Sequence, residues 1–174
     1  MAEVYLARTN QKLTFARLHL EALANAQASS GWSKHALIES YQESILFHLM
    51  SAYVSLLREI AERYRVNAQS IKEIHTLQQA FDAAGFESSE LSELVALQEN
   101  PASWLHKLHN AYEACWIATD KAKVASAETS LSEIQVMQVN PDHSEDSGVY
   151  QEYASWLTEF RTLIERQRAG MQEW

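Results

Sequence analysis

Glycine and proline are scarce, with four and two residues in a chain of 174. Turn-rich folds draw heavily on both, so their scarcity argues against such a fold and leaves helix as the main element. Cysteine occurs once, as Cys115. That excludes an internal disulfide and fits a reducing cytosol. Basic residues are outnumbered, 14 Lys and Arg against 23 Asp and Glu, for a formal net charge of −9. An acidic chain is a poor match for a nucleic-acid backbone or an anionic membrane, so neither is expected as a partner. No apolar run reaches the roughly 20 residues that a membrane-crossing helix needs. The opening MAEVYLARTNQK lacks a basic region followed by an apolar one, so no secretory signal is expected and the setting is read as cytoplasmic. There is no glycine-rich phosphate loop, no H-E-x-x-H and no C-x-x-C.

What the chain does have is an apolar run from Ile45 to Leu57 (ILFHLMSAYVSLL), interrupted only by His48, Ser51 and Ser55. It lies inside a longer pattern of helical period. A helix apolar on nearly all sides belongs in the middle of a bundle. The length suits one domain over residues 1–174, large enough to bury about 70% of its unfolded surface.

The periodicity predicts a first helix over residues 3–28 with two apolar faces. Leu6, Leu13, Leu20 and Leu23 form one face, and Phe15, Leu18, Ala22 and Ala26 the other. A second helix is predicted from an N-cap at Ser33 to Tyr64, with Trp32 and Leu37 as a hydrophobic staple. Its core face is Ile38, Ile45, Leu49, Ala52, Leu56 and Ile60. A third starts at an Asn67 cap and stops at Gly85, which suits a left-handed C-terminal position. A short piece covers Ser88 to Gln98. The fifth is capped by Asn100, with Pro101 as its first residue, and fades near Val124 to Ala127. The sixth spans about 148–169. Residues 128–147 fit neither period. Within them IQVMQV alternates like a strand but has no partner strand, so the segment is read as a long irregular connection packed by Ile134, Val136 and Val139. The sum is an all-α fold, an up-and-down four-helix bundle with additional short helices.

Two constellations can carry chemistry. His106, His109 and Glu113 stand at i, i+3 and i+7 and share one side of the fifth helix. Histidine and carboxylate on a bundle helix can hold zinc or iron, but no second helix offers a matching pair, and the same spacing describes a solvated helix edge. No metal and no cofactor is therefore expected. On the second helix, Tyr41, Ser44, His48, Ser51, Ser55 and Glu59 form a polar stripe. It reads as one side of a binding pocket around His48, as a strip where serines let a neighbour approach and His48 is satisfied in the core, or simply as the strip that faces water. No catalytic residue is assigned, because nothing places either serine beside a base. Cys115 reads as a small core hydrophobe. Trp104, Trp116 and Trp156 read as core, Trp32 as a staple and Trp174 as a frayed end. Arg161, Arg166 and Arg168 read as cations favoured in a last helical turn.

Tyr5 to Leu13 (YLARTNQKL) and Glu43 to Leu49 (ESILFHL) resemble an uncharacterised family of small all-helical bacterial proteins. The resemblance implies a bacterial cytosolic protein and carries no activity. The expected function is a non-enzymatic bundle acting through protein contacts, with a protein partner or a second copy of itself. The alternative is a small-molecule- or metal-binding bundle, or an enzyme, with its site near His48 or at His106, His109 and Glu113.

Overall fold

The computed structural model describes residues 4–117 and 147–172. Among them all regular structure is helical: α1 (Val4–Ala28), α2 (Lys34–Arg63), α3 (Ile74–Ala84), α4 (Ser89–Glu99), α5 (Trp104–Ala114) and α6 (Ser147–Gln172), with a single 3-10 turn at Ala68–Ser70. The connection predicted at 128–147, including Ile134, Val136 and Val139, lies outside the described residues up to 146, and so does Trp174. The fifth helix is shorter than its pattern suggests. It ends at Ala114, and Trp116 beyond it is 72% exposed rather than part of a core stripe.

The apolar run at the middle of α2 lies at the heart of the molecule. Ile38, Ile45, Leu49, Ala52, Leu56 and Ile60, the predicted core face, are all fully buried. Each large apolar side chain among them contributes about 1.5–3 kcal/mol by leaving water. By length and composition α2 could cross a membrane, but 61% of that stretch is buried inside the protein, as in a core helix. Helix α1 lies along α2 and presents Thr9, Leu13, Ala16, Leu20 and Leu23, spaced alternately by four and three residues. The second apolar face predicted for α1 is enclosed only in part: Ala26 is buried, Phe15 and Ala22 are half-buried and Leu18 is exposed.

Helix α5 packs on α2 and α6, and α6 packs on α1 and α5. Trp104 meets Phe160, while Cys115 at the other end of α5 lies beside Tyr153, so α5 runs against α6. Arg168 meets Glu59 near the end of α2, and Tyr153 lies towards Glu43 near its start, so α6 runs along α2. Among the described residues three helices are long and three have 11 residues, where the pattern predicts four long helices with additional short ones.

Two predicted helix starts differ from those observed, and a third, at Ser33, stands where predicted but lacks its side-chain cap bond. Ser33 has φ −95° and ψ 16° and makes no side-chain cap bond. It lies outside the extended region from which a cap hydroxyl reaches the first-turn N–H groups. Trp32 is fully exposed and Leu37 largely so, and no staple forms. Asn67 caps the 3-10 turn instead, its side chain accepting from the Gln69 N–H, and α3 begins only at Ile74. Asn100 accepts from the Ala102 N–H in an Asx turn, and Ser103, accepting from the His106 N–H, is the true cap of α5. Gly85 does adopt the left-handed conformation at the end of α3, with φ 69°.

Candidate functional site

The polar stripe on α2 is divided among three surroundings. His48 is half-buried in a ring cluster. His19 of α1 lies 4.9 Å away between centroids, Phe15 and Phe47 each 5.3 Å. The Nδ1 atoms of His19 and His48 are buried without a hydrogen-bond partner among the described residues. Burial lowers the His48 pKa to about 4, helped by the nearby His19 and Lys12. The ring is therefore neutral at pH 7, and no carboxylate among the described residues orients it. Tyr41 packs edge-on to His19, and the Ser44 hydroxyl donates to the Ser40 carbonyl. Glu59 takes no part in a pocket around His48. It is buried and held by Arg168, with Nε to Oε1 at 2.7 Å and Nη2 to Oε2 at 2.9 Å. Arg168 is thus committed to a tertiary ion pair rather than to its own helix end.

His106, His109 and Glu113 do not converge on a common point. The His106 ring is bonded through Nδ1 to the Gln98 carbonyl at 2.8 Å. His109 meets the Tyr53 ring edge-on at 5.1 Å, and its Nε2 is buried without a hydrogen-bond partner among the described residues. Burial lowers its pKa, with Glu113 acting to raise it and His106 to lower it. Glu113 is exposed. Among the described residues no group of three His, Cys, Asp or Glu stands close enough to hold a metal ion. Burial raises the Cys115 thiol pKa and Glu43 raises it further, the opposite of what an activated nucleophile needs.

The two stripes nevertheless meet. Ser51 and Ser55 from α2, and His109 and Glu113 from α5, line one groove of about 630 Å³. That is within the size range of small-molecule sites. Helix α2 forms its floor with Phe47, Met50, Val54 and Arg58. Helix α1 forms one wall with Arg8 and Lys12. The start of α3, from Lys72 to His75, and α5 form the other. Tyr53 is fixed at its base, its hydroxyl donating to Gln98 at 2.8 Å. Burial raises the Tyr53 pKa.

The unforeseen feature of the groove is its charge. Arg8, Lys12, Arg58 and Lys72 line it against Glu73 and Glu113, a formal excess of two positive charges in a chain of net −9. Among the described residues none of the four cations is in an ion pair, whereas Arg17, Arg166 and Arg168 are. Arg8 reaches only Gln11, and Arg58 donates to the Ile71 carbonyl at 2.8 Å and covers the Tyr5 ring. Lys12 is 9% exposed. Its stem is enclosed, and its ammonium lies 5.0 Å from the Phe47 centroid and 5.8 Å from that of Phe15. Burial, then the neighbouring Arg8, lower its pKa. Lys12 was not singled out from the sequence. A signal was available: it precedes Leu13 by one residue and Ala16 by four, beside the buried face of α1.

A second hollow of about 900 Å³ lies at the end of α2, lined by Tyr5, Glu59, Glu62, Arg63, Arg65 and others. Its two carboxylates balance its two guanidinium groups, so it lacks the charge excess of the groove.

The chain belongs to a family of unknown function (DUF6586), whose model matches residues 1–174. The match extends through the part of the chain beyond the first hundred residues, where the resemblance seen in Tyr5 to Leu13 and Glu43 to Leu49 was weakest. No curated protein and no solved structure matches the chain.

Proposed function

We propose that this protein is a non-enzymatic binding bundle whose groove between α1, α2, α3 and α5 takes a small organic anion. The observation that carries the reading is Lys12, whose stem is enclosed and whose ammonium has no anionic partner among the described residues, beside three further cations that make no ion pair there. Like charges at i and i+4, as in Arg8 and Lys12, destabilise a helix by about 0.2–0.5 kcal/mol. An anion in the groove would offset that repulsion. Binding without catalysis fits the side chains. The Ser55 hydroxyl donates to the Ser51 carbonyl at 2.8 Å and is committed to its own helix. A cytoplasmic setting, where small organic anions are plentiful, fits the lone unpaired thiol.

The test is calorimetry and thermal-shift measurement with a panel of organic anions and their neutral amides at low salt. Anions should bind and raise the melting temperature, amides should not, and added salt should weaken the effect. Lys12→Gln should abolish the response while circular dichroism shows an unchanged fold. Equal behaviour of anions and amides would sink the reading.

Contact with a protein partner or a second copy is a second reading, supported by the exposed apolar side chains of Trp116 and Ile117 where α5 ends. Light scattering would report a dimer. A strict monomer that captures no partner would count against it.

A further inference from the structure

We propose that the groove recognises an elongated dianion, two anionic groups joined by an apolar spacer, with one group held by Lys12 and Arg8 and the other by Arg58 and Lys72. This rests on the anion-binding reading and specifies the ligand class. The charge is arranged in two parts. Lys12 sits against Phe47, and Arg8 is one helical turn away on the same wall. Arg58 is tied to the Ile71 carbonyl, next to Lys72. Because α5 runs against α2, Glu113 lies one turn beyond the His109–Tyr53 contact towards the Phe47 end, while Glu73 adjoins Lys72. Each end therefore carries two cations and one carboxylate, a formal excess of one.

Lys12 and Tyr5, whose ring the Arg58 guanidinium covers, stand about 10 Å apart along α1 at 1.5 Å per residue. A compact anion such as phosphate cannot touch both ends. Between them the floor offers Met50 and Val54, and the Ser55 hydroxyl is already committed to its own helix. The middle of the groove thus suits a hydrocarbon or other apolar spacer, whose transfer from water adds to the two charge contacts. His109, pushed towards its neutral form by burial, adds no competing charge at mid-groove.

The probes are decanedioate, decanoate, succinate and inorganic phosphate, titrated into the full chain by calorimetry. Decanedioate should bind at least about tenfold more tightly than decanoate or succinate, the gain expected from one added charge-assisted contact. Lys12→Gln and Lys72→Gln should each bring decanedioate down to the affinity of decanoate. Lys72 is exposed, so its substitution does not threaten the fold and keeps the test decisive should Lys12→Gln fail to fold. Equal binding of decanedioate and decanoate, or no effect of Lys72→Gln, would overturn the two-ended ligand and leave a single-anion site. Tighter binding of succinate or phosphate would overturn it in favour of a compact dianion. No binding by any probe would overturn both this inference and the reading on which it rests.

Discussion

Acidification should unfold this protein partly through one imidazole. His48 titrates at about 4 in the folded chain, against an ordinary value of 6.5, chiefly because its ring is buried and then because His19 and Lys12 lie beside it. In the unfolded chain the ring is solvated and free of those neighbours. A folded pKa below the unfolded one means that the unfolded state takes up the proton first. The His48 contribution is therefore fully present above pH 6.5, is lost as pH falls towards 4, and changes no further below that. At about 1.4 kcal/mol per pKa unit the full shift corresponds to about 3 kcal/mol. The ring is only half-buried, so solvent screening reduces this to about 1–2 kcal/mol. Urea denaturation of the wild type and of His48→Gln, at intervals from pH 7.5 to 4, isolates the term, because carboxylates titrating in the same window contribute to both chains. The wild type should lose about 1–2 kcal/mol more than the variant over that interval. Equal losses, or an imidazole resonance for His48 that titrates near 6.5, would refute the reasoning.

Four further outcomes follow from the packing. Leu56→Ala, at a fully buried site on α2, should cost about 3–4 kcal/mol in urea denaturation, as a cavity opens in the core. Arg168→Ala should cost about 2–3 kcal/mol by leaving Glu59 buried and unpaired, and Glu59→Gln combined with Arg168→Met should recover most of it, so a double variant as unstable as the single one would remove the ion pair from the account. Ser103→Ala should cost about 1 kcal/mol by uncapping α5, read as a lower melting temperature. Arg65 follows α2 with φ 58°, in a turn where the Val66 N–H reaches the Ala61 carbonyl at 2.9 Å. Relief of that left-handed strain should let Arg65→Gly stabilise the protein by up to about 1 kcal/mol, and a fall in melting temperature would contradict this.

The core face of α2 was legible because it repeats a single rule, an apolar residue each three, four or seven positions, over 30 residues. Helix starts were less legible because asparagine has two local uses with one chemistry. The side chains of Asn67 and Asn100 both accept from the N–H two residues on, which caps a 3-10 turn in one case and closes an Asx turn in the other. Neither requires an α-helix to follow at once, and in each case α-helix resumes a few residues later. The staple failed for a different reason. A staple needs a correctly oriented cap, and Ser33 does not supply one.

The site was half legible. Ser51 and Ser55 on one helix and His109 and Glu113 on another were recognisable as polar interruptions, but their meeting depends on α5 lying against α2, which no local pattern encodes. The net charge of −9 also pointed away from anions, but that expectation was drawn for polyanions. A nucleic acid presents phosphates along tens of ångströms and meets the averaged charge of a whole face. A small anion samples far less. At physiological ionic strength the potential of exposed charges decays over about 8 Å, so carboxylates scattered elsewhere are largely screened from the groove. Arg8, Lys12, Arg58 and Lys72 are gathered within it, come from three separate stretches of sequence, and lack ion-pair partners among the described residues. An acidic protein can therefore repel a polyanion and still hold a single dianion in the groove, because the two ligands respond to charge averaged over different distances.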